Sequence, residues 1–149
     1  MNSMINRFMG LSAALGLAMA STASLAAEFV LDSAGLAKGS NSSTALVGFS
    51  GNSEITDAQV DVNYDPKAVK VSVKAFGNAS CGNPKAGLIR VISPDLGGQA
   101  LGEKMGAYCQ ITVTKLKGGS GSTELSLANA YCSGIGGAER ACSAGNQAK

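Results

Sequence analysis

Between Ile55 and Val73 apolar and polar side chains exchange places at every second residue. Ala58, Val60, Val62 and Tyr64 alternate with Gln59, Asp61 and Asn63, and beyond Asp65-Pro66 the residues Val69, Val71 and Val73 alternate with Lys70, Ser72 and Lys74. A period of two belongs to an extended strand with one packed face and one wet face. The stretch therefore reads as two strands around an Asp-Pro turn. Similar short runs give candidate strands at 28–32, 44–50, 55–64, 68–75, 86–93, 106–115 and 122–131, separated by Gly, Asn, Ser and Pro. Beyond residue 27 no segment keeps a helical period over eleven or more residues. Seven short strands joined by turns predict an all-β antiparallel sandwich. The expected inward set is Leu46, Ala58, Val60, Val62, Tyr64, Val69, Val71, Val73, Ile111, Val113, Leu125 and Leu127, which leaves Asp57, Gln59, Asp61 and Asn63 on an outward face.

The first 26 residues follow a different pattern. Arg7 precedes an apolar run from Phe8 to Ala20, and Ser24-Leu25-Ala26 places small residues where a signal peptidase reads them. Residues 1–26 are expected to be a secretory signal peptide, and the run is too short for a membrane anchor. Cleavage after Ala26 leaves 123 residues, enough for one domain with a core of its own. The expected division is a signal peptide at 1–26, a sandwich at 27–132 and a Gly-rich tethered tail at 133–149. The mature chain is expected to be soluble, periplasmic or extracellular. Without Arg7 the chain carries 11 basic and 10 acidic residues. With no basic cluster visible along the sequence, neither nucleic acid nor an anionic membrane is the expected partner.

Four cysteines, Cys81, Cys109, Cys132 and Cys142, fall in the mature region without a C-x-x-C pair. An even count in an exported chain reads as two disulfides. Three connectivities are open, and the favoured one joins Cys81 to Cys109 and Cys132 to Cys142. Zinc-binding thiolates normally come in close pairs, so no metal site is expected.

The chain contains no histidine, which removes Ser-His-Asp and Cys-His catalysis and histidine metal ligation together. Glycoside hydrolysis needs only two carboxylates but also a cleft, which a lone sandwich of this size seldom has. The expectation is a binding module with no catalytic residues and no cofactor. Carbohydrate binding is the alternative to protein binding. It would need an exposed aromatic platform, and Tyr108 is the candidate because its neighbours Ala107 and Cys109 are expected to point inward.

Tyr64-Asp65-Pro66 closing an alternating strand, Val-x-Val-x-Val after it, and later a Gly-x-Tyr-x-x-Ile-Thr-Val strand and a Thr-x-Leu-x-Leu strand resemble the cohesin-like family and related bacterial carbohydrate-binding sandwiches. The similarity spans most of residues 28–131. It implies a jelly-roll sandwich that binds a partner protein through one sheet. In that family, polar positions seven and five residues before the Tyr help contact the dockerin partner, and here they are Asp57 and Gln59. Gln59 stands where the best-known dockerin-binding members carry Asp. What the resemblance implies is therefore a fold and a contact sheet, with an extracellular protein of unknown identity as the partner. The face carrying Asp57, Gln59, Asp61 and Asn63 is the expected site.

Overall fold

A computed structural model describes residues 27–37 and 39–145. The expected signal peptide at 1–26 and the end of the tail at 146–149 lie outside the described residues. The strands are β1 (Glu28–Leu31), β2 (Ser42–Ser50), β3 (Asp57–Asn63), β4 (Val69–Ala75), β5 (Ser80–Lys85), β6 (Leu88–Ile92), β7 (Gly106–Lys115), β8 (Ser126–Ser133), β9 (Glu139–Arg140) and β10 (Ser143–Ala144). They form two five-stranded sheets, ordered β10-β1-β2-β7-β4 and β5-β6-β3-β8-β9. Every strand pair is antiparallel except β1 with β10. The molecule is an all-β sandwich of two largely antiparallel sheets, as the alternation anticipates.

The sheets meet over one apolar core. Leu31, Val47, Ile111 and Val113 from one sheet face Val60, Val62, Ile89 and Val91 from the other, all at 0% exposure. Each such side chain contributes about 1.5–3 kcal/mol by leaving water. Leu46, expected inside, points outward, because β2 buries Ala45, Val47 and Phe49 instead.

Two β-bulges change the phase of the alternation. Val47 pairs with Cys109 and Gly48 with Ala107, so Tyr108 has no partner across the ladder. An extra residue of this kind puts two neighbours on one side. Tyr108 and Cys109 are both buried while Ala107 is exposed. The second bulge lies in β8, where Gln59 pairs with Tyr131 but Asp61 pairs with Ala128, leaving Asn129 and Ala130 opposite Val60 alone. Asn129 takes φ 56° there, a left-handed conformation that Asn tolerates better than most residues.

The chain adds strands where the sequence reads as turn or tail. β5, with sequence SCGNPK, contains Gly82-Asn83-Pro84. It is an edge strand whose ladder is interrupted between Gly82 and Lys85, a position where Pro costs no hydrogen bond. The segment from Ser133, expected as a tethered tail, is a strap that pairs with both sheets. Cys132 and Ser133 of β8 pair with Arg140 and Glu139 of β9, and Glu28 and Phe29 of β1 pair with Ser143 and Ala144 of β10. Ser143 N–H donates to Ala27 O at 3.0 Å and Gly145 N–H to Phe29 O at 2.8 Å. The strap thus satisfies backbone groups at two sheet edges that the sandwich would otherwise leave open.

The disulfides are Cys81–Cys109, which joins the two sheets, and Cys132–Cys142, which joins β8 to the strap. In the chain-entropy account their closed loops are worth about 3.6 and about 2.7 kcal/mol respectively. A Cys81→Ser/Cys109→Ser variant is therefore expected to lose more stability than Cys132→Ser/Cys142→Ser, read from urea midpoints. Equal midpoints for wild type and both variants would show that neither loop restrains the unfolded chain.

Candidate functional site

β3 lies in the middle of its sheet, paired on both sides, so its outward residues sit in the centre of a face rather than at a rim. The registers with β6 and β8 arrange that face in rows. Ile92, Gln59 and Tyr131 form one row, Arg90, Asp61 and Ala128 the next, and Leu88, Asn63 and Ser126 the third, with Asp57 beside Ser133 at the end. The four expected residues thus share one face, which runs about 20 Å from Asp57 to Asn63.

Their environments differ. Asp57 and Asn63 are exposed and Gln59 is half-buried. Asp57 Oδ2 accepts from Thr56 Oγ1 at 3.0 Å. Asp61, expected as a solvated acid, is only 4% exposed. Its Oδ1 accepts from Arg90 Nε at 2.9 Å, and its Oδ2 accepts from the same guanidinium at 3.3 Å and from Asn129 Nδ2 at 3.1 Å. The bulge at Asn129 is what brings that amide to the carboxylate. The Arg90 hydrogen bond outweighs burial and holds the Asp61 carboxyl below the usual carboxylate range, with Asn129 and the Arg90 charge acting in the same direction. Asp61 therefore fixes the centre of the face, with both of its oxygens engaged by neighbours in the sheet. At the far end, Tyr64 hydroxyl donates to Asn83 Oδ1 at 3.2 Å and ties β3 to β5.

Tyr108 is not a platform. The β7 bulge turns it into the core at 7% exposure, where it packs beside Phe29 and Phe49 with ring centroids 6.4 and 6.0 Å away. Burial pushes its hydroxyl up to about 12. Tyr131 makes the opposite move. Simple alternation from Leu125 and Leu127 carries it inward, but the β8 bulge turns it out to 48% exposure, across from Ile92 at 39%. Neither Tyr131 nor Ile92 stands among the residues that the sequence singles out. Ile92 was legible from the alternation of β6, whereas Tyr131 required the bulge.

Comparison with solved structures places this fold among cohesin modules. The sixth cohesin of scaffoldin B from Acetivibrio cellulolyticus, solved in complex with a Cel5 dockerin mutant, superposes with a TM-score of 0.61 at 17% identity, over 82% of this chain and 96% of that one. A type I cohesin–dockerin complex from Clostridium thermocellum gives 0.59 at 16% identity, over 85% and 93%. A non-cellulosomal cohesin from the archaeon Archaeoglobus fulgidus gives 0.56 at 14%, over 80% and 86%. No protein-family model matches the chain, and neither does any curated protein. The likeness is one of fold.

A carboxyl that is held low in the folded state contributes stability that is present above its unfolded value near 3.8 and is lost as pH falls through the lower folded value. Asp61→Asn is therefore expected to be less stable than wild type at pH 7, by about 1–3 kcal/mol, with the gap closing below pH 3.8. Paired denaturation curves at the two pH values check this, and a gap independent of pH would show that the Asp61 charge is not what Arg90 stabilises.

Proposed function

We propose that this chain is a non-catalytic binding module that docks a partner protein on the outward face of the β5-β6-β3-β8-β9 sheet, outside the cytoplasm. The observation that carries the proposal is the row Ile92, Gln59, Tyr131. Two exposed apolar side chains flank one amide, above a carboxylate locked by Arg90 and Asn129. A face with an exposed aromatic and an exposed aliphatic side chain beside a fixed ion pair, and hydrogen-bonding groups around them, has the anatomy of a protein interface, in which aromatic anchors carry most of the energy. Asp57 and Asn63 supply the polar margin and Gln59 the orienting amide, while Asp61 positions Arg90.

Further support comes from the neighbours of the same fold, two of which were solved with dockerins bound. With Tyr108 inside, the residue that favoured a stacked sugar is gone, and protein docking is the reading retained. Export by a signal peptide at 1–26 belongs to the same proposal, supported by the two disulfides, which persist in oxidising compartments.

The test begins with affinity capture from the producing culture, followed by calorimetry with the purified partner. Tyr131→Ala is expected to weaken binding by at least about 30-fold, the 2 kcal/mol of an interface anchor, and Asp57→Ala/Gln59→Ala by a smaller factor. Unchanged affinity in both variants would remove the site from this face.

A further inference from the structure

The opposite face of the sandwich is built differently. Strands β4, β7 and β2 present their outward side chains in three aligned rows: Lys70, Thr114 and Ser42; Ser72, Thr112 and Thr44; Lys74, Gln110 and Leu46. Neighbours in a row lie about 4.8 Å apart and rows about 6.7 Å apart, so Lys70 and Lys74 are rooted about 13 Å from each other. Lys115, the last residue of β7, is across from the buried Val69 and so takes the opposite phase from Thr114 at the sheet's end, and Lys117 lies in the turn beyond it. Lys67 closes in from the loop, its carbonyl accepting from Ser120 N–H at 3.0 Å.

All five lysines are exposed. They are five of the chain's nine, and they come from two segments, 67–74 and 115–117, that only the β4–β7 pairing brings together. This is why the sequence shows no basic cluster. No acidic residue occupies the nine positions on β4, β7 and β2, and Asp32, next along the third row beyond Leu46, is engaged by the backbone, its Oδ1 accepting from Leu46 N–H at 2.7 Å. The two ion pairs among the described residues, Arg90–Asp61 and Arg140–Glu54, involve no lysine. Asp65, the acid nearest in sequence, is engaged by its own turn, where its Oδ1 accepts from Lys67 N–H at 2.9 Å.

We propose that this face binds a linear anionic polysaccharide. Lys70 and Lys74, rooted about 13 Å apart on one strand, with Lys67, Lys115 and Lys117 at the end of the sheet, match carboxylates or sulfates repeated along an extended chain. The hydroxyls of Ser42, Ser72, Thr44, Thr112 and Thr114 and the Gln110 amide can both donate to and accept from sugar hydroxyls between the charges. Lysines on the edge strand β4 also deter strand pairing, but that role asks nothing of Lys115, Lys117 or a row of hydroxyls. The rows hold no aromatic residue, so a neutral glycan lacks a stacking surface, and so does single-stranded nucleic acid. Leu46 is their only large apolar side chain, which is too little to insert into a bilayer. The site is distinct from the protein-docking face.

Affinity electrophoresis of the full chain in gels containing polygalacturonate tests the proposal, with dextran gels, phosphatidylglycerol vesicles and a single-stranded oligonucleotide run beside it. Polygalacturonate is expected to retard the wild type, and raising salt until screening acts within a few ångströms is expected to abolish the retardation. Lys70→Gln/Lys74→Gln/Lys115→Gln/Lys117→Gln is expected to weaken binding at least tenfold, while Arg at the same four positions preserves it and Tyr131→Ala leaves it unchanged. Thermal unfolding confirms that each variant is folded. The proposal is overturned if polygalacturonate fails to retard the wild type, if dextran retards it equally, if the Gln variant binds as tightly, or if vesicles or oligonucleotide bind at least as well as polygalacturonate.

Discussion

Everything in this fold is referred to the double pairing of β3. Its amides and carbonyls bond to β6 on one side and β8 on the other, so the strand cannot shift by one residue without exposing Val60 and Val62 and burying Gln59 and Asp61. The core and the candidate docking face are therefore set by one register. Val60 and Val62, at 0% exposure, anchor the sandwich from inside, while Gln59 and Asp61 organise the outward rows. Asp61 links these two roles. It sits among outward residues yet is covered by Arg90 and Asn129, which fixes the middle of the face, the kind of preorganisation that would lower the ordering cost of the proposed docking.

A two-layer sandwich has open flanks, and here each flank is joined covalently. Cys81–Cys109 bridges β5 to β7 on the side where β4 turns into β5. On the other side Cys132–Cys142 holds the strap against β8, and the strap lends one short strand to each sheet. Loops and Gly-rich connections make up much of the chain, so restraint of this kind offsets the conformational entropy that a core of modest size must overcome.

Much of this was legible in the residues. The alternation of β3 and β4 gave their faces, the even cysteine count pointed to two disulfides with the observed pairing favoured among three open ones, and the Tyr64-Asp65-Pro66 turn with its flanking patterns pointed to the cohesin-like sandwich. What stayed hidden depended on register. One unpaired residue at Tyr108 and one extra residue at Asn129 reverse the phase of β7 and β8, so a tyrosine expected outside is buried and another is turned out beside Gln59. Asp61 looked solvated because the Arg90 that covers it lies 29 residues away. The lysines of β4 and β7 form a face only after the strands pair. Strands β9 and β10 are too short to carry any period, and they exist because the disulfide and the edges of β8 and β1 receive them.

The two outward faces differ in chemistry, and the two proposals rest on that difference. One sets amides and two exposed apolar side chains around the fixed Asp61–Arg90 pair, the chemistry on which docking of a folded partner is proposed. The other is hydroxylated and carries Lys70 and Lys74, the chemistry on which binding of an extended polyanion is proposed. Both rest on β3 and β7 holding their registers. Native-state hydrogen exchange measures that most directly. The amides of Val60, Asp61 and Val62 are expected to exchange only through global unfolding, with free energies equal to the stability from urea denaturation. Exchange of these amides by local opening, at free energies well below that value while β2 and β7 stay protected, would contradict the account.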